Sequence, residues 1–157
     1  MPFFVLKYLH LIGAAVLLGT GAGIAFFMLM AQRTRNVVVT AAVARIVVMA
    51  DYLFTATAVV AQPITGVALA AEGGYSLSEG WILVSIALYL FAGVFWLPVV
   101  WMQMRMRDLA AEAKAQGLPL PRSYYRLFHS WFAFGFPGFA AVLAIFWLMV
   151  TRPTISL

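Results

Sequence analysis

The chain has no cysteine and only five acidic residues among 157. Without cysteine there can be no disulfide, no thiolate metal site and no cysteine nucleophile. With so few acids, paired-carboxylate hydrolysis has little to draw on. The patterns G-x-S-x-G and H-E-x-x-H do not occur, and neither does a phosphate-binding glycine loop. Charge of either sign is scarce: 10% of residues are charged and 65% are apolar, which is not the composition of a soluble domain. The net charge of +5 therefore does not call for a nucleic acid partner, because lysine and arginine gather in the loops that flank membrane spans.

What the chain has instead is long uncharged runs. Tyr8 to Gln32 is a stretch of roughly 25 residues holding one histidine, His10, and about 20 apolar residues at 1.5 Å rise suffice to cross a hydrocarbon core. The N-terminus does not read as a cleavable signal, since no basic region precedes the run and Lys7 lies inside it. The spacing predicts four membrane helices forming an all-α bundle in one domain. They run from about Phe3 to Ala31, Val37 to Ala71, Trp81 to Gln116 with an extension beyond Trp101, and Tyr124 to Val150. Arg45 and Asp51 precede the uninterrupted part of the second helix, so Val37 to Ala50 reads as an extension outside the membrane, with Asp51 at the boundary. Arg33, Arg35, Arg45, Arg105, Arg107, Lys114, Arg122 and Arg126 fall on one side, against Lys7 and Arg152 on the other. That imbalance predicts both termini outside and the two helical extensions in the cytoplasm, with the protein multi-pass in a bacterial inner membrane.

Polar residues inside such helices mark candidate sites. On the first helix His10, Gly13, Ala14, Leu17, Gly21 and Met28 share a stripe, and Gly19 and Gly23 form a G-x-x-x-G pair of the kind that lets helices approach closely or a chain dimerise. On the second, Asp51, Thr55, Ala58, Gln62 and Gly66 make a polar and small stripe that should face the bundle. Pro63 cannot bond the carbonyl of Val59, which predicts a kink with a free carbonyl. His10 can be read three ways: a haem iron ligand with small residues one turn away admitting a flat ring, a proton relay, or a core histidine bonded to a neighbour. His129, one turn inside the opposite boundary, is too far from His10 to share an iron, and a pair with Asp51 or a phosphate head group is expected for it. Met149 shares the depth of His10 and is the candidate second ligand, though methionine is common packing material. Met102, Met104 and Met106 do not make a copper site, because alternate residues on a helix point apart.

Several blocks carry a resemblance. Asp51-Tyr52-Leu53-Phe54-Thr55 leading to Gln62-Pro63-Ile64-Thr65-Gly66, Trp96-Leu97-Pro98-Val99-Val100-Trp101-Met102-Gln103, Trp131-Phe132-Ala133-Phe134-Gly135-Phe136-Pro137 and the ending Phe146 to Pro153 resemble a bacterial integral-membrane family, domain of unknown function 2269. The resemblance implies four helices and no particular activity. Lys7-Tyr8-Leu9-His10 is also similar to the first helix of HemJ-type protoporphyrinogen oxidases and CopD-like proteins, which implies haem b at the histidine. The HemJ-type enzymes need a lysine on a later helix, and the membrane part of the third helix here, Trp81 to Trp101, has none.

The expectation from these residues is a haem b-binding protein of electron transfer or tetrapyrrole oxidation. His10 would be the axial ligand, Gly13 would leave room, Lys7 would meet a propionate, and Gln62, Thr65 and Tyr89 would line the site. The alternative is a non-catalytic membrane subunit or transport component, homodimeric or part of a complex, in which Asp51, Thr55 and Gln62 line a proton or small-solute path.

Overall fold

The structure, a computed structural model, describes residues 3–156. Five α-helices and one π-helical turn follow in order: α1 (Phe3–Arg33), α2 (Val37–Ala50), the π-turn Asp51–Thr55, α3 (Ala56–Glu72), α4 (Gly80–Gln116) and α5 (Arg122–Thr151). Because α2, the π-turn and α3 run on without a break, four rods result, each long and apolar enough to cross a membrane. The expected all-α four-helix membrane bundle is what forms. At 37 residues, α4 is about 55 Å long, well beyond a core of about 30 Å, so its end must project from the bilayer.

The helix ends follow from local chemistry. Asn36 caps α2, its Oδ1 accepting from the backbone N–H of Val38 at 2.9 Å and of Val39 at 3.2 Å, so two donors at the helix start are satisfied. Thr40, fully buried, donates its hydroxyl to the Asn36 carbonyl at 3.0 Å. Gly117 closes α4 at φ +66°, a left-handed conformation that glycine adopts without strain. The C-terminal tail is more than a trailing end. Arg152 donates to the Tyr75 hydroxyl, and its guanidinium lies 5.1 Å from the Tyr75 ring centroid and 6.0 Å from that of Trp81. The tail is thereby fastened to the α3–α4 loop by cation–π contact.

The two halves of the bundle differ. At the end carrying Arg33, Arg105 and Arg122, here the basic end, α1, α2, α4 and α5 all converge. Ile24 and Met28 pack there with Ala44, Val47, Met102, Met106, Tyr124, Phe128 and Trp131. Met28, Met106 and Tyr124 are almost completely buried. At the end carrying the termini, α3 packs on α1 and α4 on α5, while α3 makes no substantial backbone approach to α4 or α5. The two extensions, Val37 to Ala50 and Met102 to Gln116, pack against each other and supply Ala41, Ala44, Val47, Met102, Met106 and Ala110 to this core.

That core gives a direct test. Met106→Ala should destabilise the protein by about 2–5 kcal/mol, as large-to-small changes in packed interiors do. Met49→Ala, at a side chain 54% exposed, should stay within about 0.5 kcal/mol. Reversible unfolding in mixed micelles measures both.

Candidate functional site

The expected residues fall into two groups. The first lies between α1 and α3. His10 Nδ1 is 2.8 Å from the Thr65 hydroxyl, which also reaches the Ala61 carbonyl at 2.8 Å and that of Gln62 at 3.2 Å. A hydroxyl has one proton to give. If that proton goes to the Ala61 carbonyl, as is usual for a threonine one turn on, the network assigns the His10 proton to Nδ1 and leaves the Nε2 lone pair free. One turn back on α3, the Gln62 amide donates to the His10 carbonyl at 2.8 Å.

Glycine makes both contacts possible. A Cβ at Gly13 would collide with the Gln62 amide, and one at Gly66 would stand 3.3 Å from His10 Cε1. Each helix thus offers a glycine where the other places a polar side chain, which is how small residues bring membrane helices together. The free carbonyl expected at Val59 also has its partner: Tyr89 on α4 reaches across and donates its hydroxyl to it. This bond joins α3 to α4 where their backbones stay apart.

These contacts bear on the expected haem site. The donor chemistry at His10 suits iron, because a ligating histidine commonly uses its other N–H on a second group. The slot for the ring is missing. The space beside Gly13 is taken by Gln62, and that beside Gly66 by His10 itself. Gln62, Thr65 and Tyr89 are bonded to backbone carbonyls. Lys7 is exposed. The α5 contacts with α1 that can be placed are at Gly21, which faces Phe139, and at Ile24 and Met28, about three turns or more from His10. The residues therefore do not frame a porphyrin between α1 and α3. Among the described residues there is also no cluster of three or more metal-ligating side chains.

The second group is centred on Asp51. Asp51, Thr55, Ala58 and Gln62 are all buried, so the stripe faces inward as its spacing implies. The π-turn, which the sequence reading treated as plain helix, sits at the top of this stripe and turns Tyr52, Leu53 and Phe54 outward while keeping Asp51 and Thr55 inside. Single π-turns inside α-helices recur at functional positions. The expected pair of His129 with Asp51 does not form. His129 is exposed, and its Nδ1 bonds the Tyr125 carbonyl one turn back at 2.6 Å, a local bond that leaves the ring on the outer face of α5. Arg107 pairs with Asp108, whereas Asp51 has no basic partner among the described residues. Its neighbours are two donors, the Thr55 hydroxyl and the Trp96 indole N–H, and neither of these is in hydrogen-bond geometry with any acceptor.

Trp96 did not stand out in the sequence, because a tryptophan in a membrane helix is ordinarily apolar surface. Its spacing of seven residues from Gln103, two turns on the same face, was the available signal.

Residues 4–153 match the family described as predicted integral membrane protein (DUF2269). The chain belongs to that family. No curated protein and no solved structure matches it.

The reciprocal glycine packing generates a prediction. Gly13→Val should destabilise by about 1–3 kcal/mol, the usual cost of overpacking, because Gln62 must leave its seat. Gly19→Val should be neutral in the monomer, since a Cβ there meets nothing within 4 Å. Thermal unfolding in detergent, read by near-ultraviolet circular dichroism, separates the two.

Proposed function

We propose that this member of the family handles protons inside the membrane, as a transport component or as the proton-binding subunit of a larger membrane assembly, with Asp51 carrying the proton. The observation behind this reading is a carboxyl group 5% exposed, on a π-turn within a membrane-length rod, with no basic partner. Carboxyl groups buried at the edge of a membrane span, like those inside it, are rare and costly, and intramembrane ones recur as proton relays. A carboxylate held by a fixed arginine would keep one state. One flanked only by the Thr55 hydroxyl and the Trp96 N–H has neutral neighbours in both states, and a hydroxyl can donate to the anion or accept from the acid.

The second reading, haem b on His10, has only the open Nε2 in its favour, because the α1–α3 contact leaves no slot for the ring.

Two measurements separate these readings. In proteoliposomes under an imposed potassium diffusion potential, an internal pH dye should report proton entry with the wild-type protein. Asp51→Asn should reduce entry to the level of empty liposomes, while His10→Gln should leave it unchanged. Equal flux in the Asp51→Asn protein would end the proton reading. The absorption spectrum of the purified protein, oxidised and then reduced, should show no Soret band; a band removed by His10→Ala would establish the haem reading instead.

A further inference from the structure

Buried polar atoms in folded proteins nearly always have a partner, and each exception calls for an explanation such as bound water. Among the described residues six buried side-chain atoms have none: Gln32 Oε1, Thr55 Oγ1, Trp96 Nε1, Gln103 Oε1, Tyr124 Oη and Trp131 Nε1. Their placement is uneven. All six lie from Thr55 toward the basic end, on all four rods. In the other half four polar side chains are closed on backbone carbonyls, Gln62 on His10, Thr65 on Ala61, Tyr89 on Val59, and Ser85 on Trp81 at 2.7 Å, and the His10 ring is bonded to Thr65 through Nδ1.

The six atoms also descend in order. Trp96 and Gln103 are two turns apart on one face of α4, and Trp131 and Tyr124 are likewise two turns apart on α5, which runs the opposite way and packs along α4. Asp51 and Thr55 stand at the inner top of this series, and Gln32 closes it in the last turn of α1. Gln103, Tyr124 and Trp131 are 3%, 0% and 4% exposed, so none is satisfied by surface solvent. Acceptors (Gln32, Gln103), donors (Trp96, Trp131) and hydroxyls (Thr55, Tyr124) all occur among the six, and water can bridge all three kinds.

We infer that the basic half of the bundle holds a line of bound water from its surface past Gln103 to Asp51, and that in this conformation the other half is closed to water, so that Asp51 is open to one aqueous phase and transport requires the closed half to open. This inference rests on the proton reading of Asp51 for its purpose, but its geometry is independent of it. The phase concerned is the one that loop charge assigns to the cytoplasm.

The absence of cysteine makes every introduced thiol unique. Thr55→Cys and Gln103→Cys would report on the proposed line, and Thr65→Cys and Ser85→Cys on the closed half. All are small changes at helical positions, and gel filtration in detergent selects the variants that fold. Each protein in lipid nanodiscs is exposed to silver ion, which reaches thiols through water and blocks them; the thiols left unblocked are then counted with a fluorescent maleimide after denaturation. Thiols at 55 and 103 should be blocked at least about tenfold faster than those at 65 and 85, because lipid and packed protein exclude a bare ion. Equal rates at the four positions, or faster blocking at 65 and 85, would overturn the one-sided line. The flux assay on Asp51→Asn reads separately. Blocking at 103 with unchanged flux would leave the water line standing and remove the role of Asp51. Lost flux with a protected thiol at 103 would do the reverse.

Discussion

A polar group inside a bilayer must find its partner within the protein, because the hydrocarbon offers none. That constraint shapes this bundle more than apolar packing does, since lipid is as good a solvent for leucine and phenylalanine as a neighbouring helix is. The α1–α3 contact is built on it. His10 and Gln62 are accommodated by glycines on the opposite helix, and Thr65 ties the imidazole to α3. Tyr89 meets the carbonyl that Pro63 leaves without an amide. Every inward polar group named in the sequence for that half therefore acts first as a helix fastener, and a role in cofactor binding would have to coexist with it.

Much of this architecture could be read from the residues, for a physical reason. Membrane spans announce themselves by length and charge, and the side of a helix that must be hidden from lipid announces itself by polar residues at helical spacing. Asp51, Thr55, Ala58 and Gln62 are buried together because no other face could tolerate them. The free carbonyl of Val59 followed from the missing N–H of Pro63. What could not be read were facts about partners. Nothing in the spacing says that Gln62 fills the space at Gly13, since a gap for a cofactor and a gap for a neighbouring side chain have the same sequence signature. Nor could His129 be assigned. Shared depth with Asp51 was real evidence about one coordinate only, and the rotation of α5 put the imidazole on its outer face.

The π-turn was invisible for a different reason. It adds a residue without changing the apolar count, and DYLFT is as compatible with an α-helix as with a wider turn. Its purpose follows from what lies on either side. Below it, α2 packs against α4 and α1; above it, α3 packs against α1 and no longer approaches α4 closely. A residue inserted in a helix rotates all that follows by about 100°, enough to carry the packing face from one neighbour to another. The chain uses that rotation to change partners in the middle of a rod that never breaks.

The change of partner also accounts for where the unsatisfied chemistry lies. Above the π-turn, two helices meet at a face rich in glycine, and their backbones come close enough for side chains to reach carbonyls of the opposite helix. Below it, four rods meet around Met28, Met106, Tyr124, Phe128 and Trp131, and the buried polar ends of Gln103, Tyr124 and Trp131 meet no side-chain or backbone partner there. Asp51 stands at the boundary between these regimes, at the first residue of the π-turn. Its carboxyl group lies at the last level from which four rods converge, and at the first above which the bundle is closed by direct hydrogen bonds. A carboxyl group about three turns higher, at the level of Gln62, would be shut into the fastened α1–α3 contact, and one a turn or two lower would lie nearer the arginines of the basic end. The position of the π-turn thus sets both the isolation of Asp51 from basic partners and the side from which it can be reached.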